Sequence, residues 1–156
     1  MTYIEGIDLW SAVFNAGMRA EELLLDITFR VIRLAADLER RKFYHEDLKC
    51  TNIVRRHADG ELFFIDLGGG MTRGMYRAER ESVLWSQGPD VTDALFTLGR
   101  TLWELWAVDS PWQGAPLDRV QNEMVRHIIR DCEQGNVESI VHLSEKYSPF
   151  ETVSRQ

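Results

Sequence analysis

Tyr44-His45-Glu46-Asp47-Leu48-Lys49-Cys50-Thr51-Asn52-Ile53, followed by Phe63-Phe64-Ile65-Asp66-Leu67-Gly68, is the stretch on which the fold turns. Two short apolar runs, Ile53-Val54 and Leu62-Phe63-Phe64-Ile65, flank Asp59-Gly60. They predict a β-hairpin whose turn requires a positive φ. A hairpin brings its ends together, so Asn52 and Asp66 are expected near each other. A carboxylate suited to general-base work, Asp47, and two side chains suited to metal ligation thus stand at fixed intervals around one short hairpin.

The pattern resembles the catalytic core of the protein kinase superfamily, in which a catalytic loop H-R-D-L-x-x-x-N is followed by a metal loop D-F-G. His45, Asp47, Leu48, Asn52, Asp66 and Gly68 fall on matching positions, and Lys49 falls where many kinases carry a phosphate-steering lysine. Thr97-Leu98-Gly99-Arg100-Thr101-Leu102-Trp103-Glu104-Leu105-Trp106 is similar to a buried kinase helix written S-L-G-x-x-L-W-E-L. Tyr3-Ile4-Glu5-Gly6-Ile7-Asp8-Leu9 is similar to the hinge and the start of the helix after it. The resemblance runs over residues 3 to 106. It implies a protein-kinase C-lobe-like helical domain, mainly α with a small β-hairpin. That domain is expected to fill 1–156 as one unit, with a hinge-like segment at 1–7, the catalytic-loop and metal-loop region at 44–68, and a tail at 148–156.

The resemblance implies Asp47, Lys49, His45 and Glu46 as candidate catalytic residues. It implies Asn52, Asp66 and Gly68 as cofactor-binding residues, with Asn52 and Asp66 as the metal ligands. In a kinase the aspartate accepts the substrate hydroxyl proton. Asparagine and aspartate oxygens are the hard donors that Mg²⁺ takes alongside phosphates and water, and the lysine neutralises charge on the transferred group. An architectural reading stands beside this, with His45 packing under the loop and Asp47 bonding backbone amides. Gly68-Gly69-Gly70 is read either as an anion-binding nest or as a flexible turn. Trp85 and Trp112, in predicted loops, are read as stacking or interface residues or as filler.

Departures from the family pattern shape the functional reading. Glu46 stands where the kinase arginine would bind a phosphorylated activation loop, so activation by arginine–phosphate pairing is not available. Leu67 replaces the phenylalanine of the metal loop, and Arg77-Ala78-Glu79 echoes A-P-E without its proline. Ala94 occupies the usual buried aspartate position, with Asp93 one residue early, which implies a shifted helix start or a lost support for the catalytic loop. The 156 residues hold no Gly-rich loop, V-A-I-K lysine or partner glutamate to cover ATP phosphates. Mg²⁺ is therefore the implied cofactor, and ATP is expected to bind weakly or not at all. Three functions fit: a repurposed enzyme using the cluster on a small molecule without conventional ATP use, a phosphotransferase completed by a partner chain, or a non-catalytic pseudokinase regulator or binding module.

Composition sets outer bounds. The chain is 44% hydrophobic and 28% charged, with a net charge of −7, an ordinary globular profile on the acidic side. Nucleic acid is a poor partner because the basic footprint for phosphate is missing. The N-terminus lacks the basic start and apolar run of a signal peptide, and no stretch approaches membrane-spanning length, so a cytoplasmic protein is expected. Cys50 and Cys132 are too few for a disulfide framework and are expected to be free thiols.

Periodicity supplies the remaining elements. Asp8 is expected to cap a helix over 9–16, and Leu24, Ile27, Val31, Leu34, Ala35 and Leu38 predict a long helix from Glu21, with Arg40-Arg41-Lys42 at its dipole-favoured end. Residues 66–92 read as a loop. A helix apolar nearly all round starts at Thr92. Leu117, Val120, Met124, Ile128 and Cys132 predict one amphipathic helix closed by Gly135, and Val137, Ile140 and Val141 a shorter one. Met1, Tyr3, Ile4, Ile7 and Leu9 are expected to leave an apolar face that a homodimer or another partner covers.

Overall fold

The computed structural model describes residues 4–45, 47–67, 71–72, 91–107 and 116–151, without side-chain detail at 71–72, 91–93 and 151. In chain order the elements are β1 (Gly6–Asp8), α1 (Leu9–Phe14), α2 (Glu21–Arg40), β2 (Phe43–Tyr44), a 3-10 turn (Cys50–Asn52), β3 (Ile53–Arg56), β4 (Leu62–Phe64), β5 (Met71–Thr72), α3 (Val91–Ala107), a second 3-10 turn (Leu117–Arg119), α4 (Glu123–Gln134) and α5 (Ile140–Glu151). The protein is mainly helical with a small antiparallel sheet, as its sequence implies. Among the described residues no helix is long and apolar enough to cross a membrane.

Helix α2 forms where its apolar stripe recurs, with Leu24, Ile27, Val31, Ile32 and Ala35 buried. Glu21 and Glu22 sit in its first turn and Arg40 in its last, each on the side the helix dipole favours. It packs against α5, while α3 packs against α4. Trp106 Nε1 donates to Thr28 Oγ1 at 2.8 Å, and Thr28 donates on to the Leu24 carbonyl at 2.7 Å. The indole N–H of the α2–α3 seam is thereby satisfied without water. Across the other seam, Gly99 lets α3 approach α4 closely: a Cβ there would lie 2.9 Å from Cys132 Cβ. Cys50 and Cys132 are both free and buried.

The expected hairpin is present, with Ile53 opposite Phe64 and Arg55 opposite Leu62. Gly60 takes the positive φ of its turn, +74°. Asp59 accepts from the Glu61 amide and from Arg56 Nε, and the Arg56 bond above all holds its carboxyl down to about 2. β1 adds a third strand, Ile7 opposite Arg55, in the order β1-β3-β4. Asp8 then caps α1 by accepting from the Ser11 amide at 2.8 Å. A separate ribbon pairs β2 with β5, Phe43 opposite Thr72.

Three element boundaries differ from expectation, and β5 lies inside the stretch 66–92 read as a loop. The helix ascribed to 9–16 ends at Phe14. The helix ascribed to Leu117 onward begins only at Glu123, because Asn122 turns its side chain to accept from the Val125 amide and Val120 is extended. An N-cap of this kind starts a helix in place of continuing one. The segment ascribed to a tail at 148 continues as helix to Glu151 with Pro149 inside. Proline has no N–H for the carbonyl four residues back, and Ser148 Oγ supplies that bond to Glu145 O at 3.0 Å. Residues 152–156, Trp85, Trp112, Gly69, Gly70 and 77–79 lie outside the described residues. Leu9 is buried at 0% exposure and so is not part of an exposed apolar face, whereas Ile4 and Ile7 are half-buried.

Asp131 locks α4 to α5. Its Oδ2 lies 2.7 Å from both Lys146 Nζ and Tyr147 Oη, and Asn136 Nδ2 reaches Oδ1 at 3.3 Å. Burial alone would raise this carboxyl, but the bonds from Lys146, Tyr147 and Asn136 outweigh it and hold it below its ordinary value. A carboxyl depressed in the folded state contributes stability above its unfolded pKa, and loses it as pH falls through the folded value. Asp131→Asn is therefore expected to cost about 1–2 kcal/mol at neutral pH. The difference from the parent should shrink as the pH falls below the ordinary carboxylate range and through the depressed folded value, as read by urea unfolding at each pH. A pH-independent difference would show that the charge plays no part.

Candidate functional site

The catalytic-loop sequence leaves β2 and returns through the 3-10 turn to β3, while the metal-loop sequence runs from β4 to β5. Because β2 pairs with β5 and β3 with β4, both loops emerge from the same end of the paired strands. The Ile65 peptide joins them. Its N–H donates to Asn52 O at 2.9 Å, and its carbonyl lies 2.9 Å from His45 Nε2. The Asp47 amide donates to His45 Nδ1 at 3.2 Å. With Nδ1 accepting, Nε2 carries the proton and donates to Ile65. His45 is buried, sits edge-on to Phe64, and has both ring nitrogens engaged by backbone. In this arrangement it spaces the two loops.

Asp47, Lys49 and Asn52 come together. Lys49 Nζ lies 2.6 Å from Asp47 Oδ2, with the two side chains 46% and 57% exposed respectively. Asn52 is buried, and its Nδ2 donates both to the Asp47 carbonyl at 2.8 Å and to Asp47 Oδ2 at 3.1 Å. One amide thus fixes the backbone and the carboxylate of the same aspartate. An exposed ion pair adds little to stability, about 0–1 kcal/mol, so the Asp47–Lys49 contact is a matter of placement more than of fold energy.

Asp66 follows Ile65 directly and is exposed. Its φ is +56°, a left-handed conformation that aspartate and asparagine tolerate better than most residues. Among the described residues no hydrogen bond ends on its carboxylate, and none ends on Asn52 Oδ1. Since Asn52 spends its nitrogen on Asp47, oxygen is the atom it has left to offer a cation. Two hard oxygen donors on joined loops fit Mg²⁺, which accepts few protein ligands and keeps water. Among the described residues no cluster of three or more His, Cys, Asp or Glu is arranged to hold a metal ion. Glu46 and Gly68 lie outside the described residues.

Two residues that sequence reasoning did not single out bear on the site. Thr101 Oγ1 lies 2.8 Å from the carbonyls of both Leu48 and Thr97, and Glu104 Oε2 accepts from the Cys50 amide at 2.9 Å. Cys50 Sγ adds a contact to Thr101 O at 3.6 Å. Burial, with the Glu104 carboxylate next, pushes this thiol well up, so it stays a protonated donor. Ala94, in the position a kinase-type aspartate would fill, is buried and has nothing to donate or accept from its side chain. The Asp93 side chain lies outside the description. A polar Thr101 and an acidic Glu104 set among the buried Leu98, Leu102 and Leu105 of α3 were the available signal.

No protein-family model matches the chain. The chain is similar to the serine/threonine-protein kinase PknA of Nostoc sp., with 28% identity over 86 residues, a stretch amounting to 55% of this chain and 14% of that kinase. The match thus spans about a seventh of that relative's length, and it supports a kinase-like relationship over that stretch.

Replacing Asn52 tests the geometry at Asp47. Asn52→Ala removes two hydrogen bonds from a buried amide and is expected to cost about 1–3 kcal/mol. Asn52→Asp sets a second carboxylate against the Asp47 carboxylate and carbonyl, so it should be the worse variant at pH 7 and recover toward the alanine variant near pH 3. Urea unfolding at the two pH values reads both effects. Equal stability of the two variants at pH 7 would show that the amide does not face Asp47 in solution.

Proposed function

We propose that these residues form the catalytic half of a kinase-type site. In this reading Asp47 orients an attacking hydroxyl and takes its proton, while Lys49 neutralises charge developing on the transferred group. The observation that carries it is the Asp47 carboxylate, held by Lys49 Nζ at 2.6 Å and Asn52 Nδ2 at 3.1 Å. The likeness to a serine/threonine-protein kinase supports it. Asn52 and Asp66 would hold Mg²⁺, which when bound supplies neutralising charge to phosphate oxygens. Phosphoryl transfer depends on positioning, and the 156 residues include no Gly-rich loop or V-A-I-K lysine to supply it. A covering surface from a partner chain or further polypeptide completes the site in this proposal.

The exposure of Asp47 and Lys49 favours a second reading. A carboxylate and an ammonium that are 57% and 46% exposed are open to a small molecule, on which the same acid/base pair would act without ATP. Titration separates the two. Under the first proposal Mn²⁺, as a probe for Mg²⁺, is expected to bind together with ATP, with the nucleotide constant weaker than about 100 μM. Binding should be lost in Asp66→Asn, which keeps the left-handed backbone accessible, and retained in Asp47→Asn, with melting temperatures unchanged to within a few degrees. Mn²⁺ binding that ignores Asp66→Asn would remove the metal half of the proposal.

Self-association belongs to the same reading. Ile4 and Ile7 are half-buried near the chain start. We propose that a second copy covers this apolar surface, two-fold pairing being the commonest arrangement of identical chains. Light scattering on the purified protein is expected to give twice the monomer mass. A monomer across micromolar to millimolar concentrations would overturn the dimer.

A further inference from the structure

We propose that Thr101 and Glu104, on α3, are positioning residues that set the aim of Lys49 at Asp47, an inference that rests on the kinase-type reading of that pair. The Leu48 carbonyl, in the peptide before Lys49, faces the Thr101 hydroxyl at 2.8 Å. The Cys50 amide, in the peptide after it, donates to the Glu104 carboxylate at 2.9 Å. Lys49's own carbonyl accepts from the Asn52 amide at 2.9 Å. Both peptide planes flanking Lys49 are therefore tied down, two of the bonds reaching to a helix distant in sequence.

The tie to Glu104 is strong by type, the Thr101 hydroxyl shares its one proton between the Leu48 and Thr97 carbonyls, each 2.8 Å away, and both ties are strong by place. A backbone amide on a carboxylate is a charge-assisted bond, and Thr101, Leu48 and Cys50 are all at least nine-tenths buried. The Lys49 side chain is nearly half exposed, so packing does not hold it. What remains to direct Nζ toward Asp47 is the orientation of its Cα–Cβ bond, which the two tethered peptides fix. Thr101 and Glu104 lie three residues apart, on one face of α3. They form a two-point clamp, and a two-point clamp prevents the rotation that one bond would allow. Neither residue touches Asp47 or Lys49 directly in these contacts, so their action is through the loop backbone.

The lysines of the chain are Lys42, Lys49 and Lys146, which makes amine labelling a direct readout. The full chain, without metal or nucleotide, is treated briefly with an amine-reactive ester, and the labelled peptides are quantified by mass spectrometry. Lys42 and Lys146 serve as internal references. Glu104→Ala is expected to raise Lys49 labelling about tenfold relative to Lys146, in line with the loss of one charge-assisted hydrogen bond. Glu104→Gln keeps an acceptor for Cys50 and should stay within about twofold of the parent. Thr101→Val, close in shape, should raise Lys49 labelling even if Glu104→Ala does not fold. A merely structural role would lower the melting temperature without changing the Lys49 to Lys146 ratio, and an unchanged ratio in folded Thr101→Val would overturn the proposal. The labelling needs neither Mn²⁺ nor ATP, so failure of the metal reading and failure of the clamp are told apart.

Discussion

A buried loop is costly unless each of its peptide groups finds a partner, and the turn from His45 to Asn52 is governed by that requirement. Leu48, Cys50 and Asn52 are all buried, in a segment too short and irregular to satisfy its own backbone. The partners come from every side. His45 accepts from the Asp47 amide, Asn52 donates to the Asp47 carbonyl, Thr101 faces the Leu48 carbonyl, and Glu104 takes the Cys50 amide. Among the described residues of the loop, the same bonds leave Asp47, Lys49 and Thr51 facing outward. Satisfying the backbone and presenting the charged pair are one arrangement, so a change to either disturbs the other.

The helices serve as the frame for that loop. α3 is buried along Leu95, Leu98, Leu102 and Leu105 and carries Thr101 and Glu104 among them. α4 supports α3 from behind through the Gly99 contact and through Arg100 Nε, 3.1 Å from Glu133 Oε1. α2 and α5 are joined at Glu39, whose carboxylate accepts from the Val141 amide at 2.8 Å, a donor that α5 cannot satisfy internally in its first turn. Helix ends and loop peptides are thus met largely by carboxylates and hydroxyls from neighbouring elements. That is the pattern expected where irregular backbone is packed inside a helical domain.

How much of this was legible in the sequence depends on how local each cause is. Helix α2, the Asp59-Gly60 hairpin, the Asp8 cap and the closure of α4 at Gly135 follow from periodicity and from residues that act on their immediate neighbours. The start of α4 was less legible, since Leu117 and Val120 keep the helical rhythm while Asn122 caps against it. The end of α5 was hidden by Pro149, whose breaking effect is offset by the hydroxyl of Ser148. At the site, the approach of Asp47, Lys49 and Asn52 was readable because three residues of one loop are involved. The ties from Thr101 and Glu104 were not, because they exist only once α3 has docked across some fifty residues of chain.

The glycine at position 99 carries an implication for how this pair of helices can change over time. The atom that a new Cβ would meet is Cys132 Cβ, at 2.9 Å, and every residue except glycine has a Cβ. Trimming Cys132 to alanine therefore makes no room for a side chain at 99. The two positions behave as a single lock with one allowed vacancy, and the only compensated exchange moves the glycine from 99 to 132. A lineage that holds Gly99 can exchange Cys132 only for residues of similar volume, since that position is buried, and it cannot leave Gly99 by small steps without parting α3 from α4.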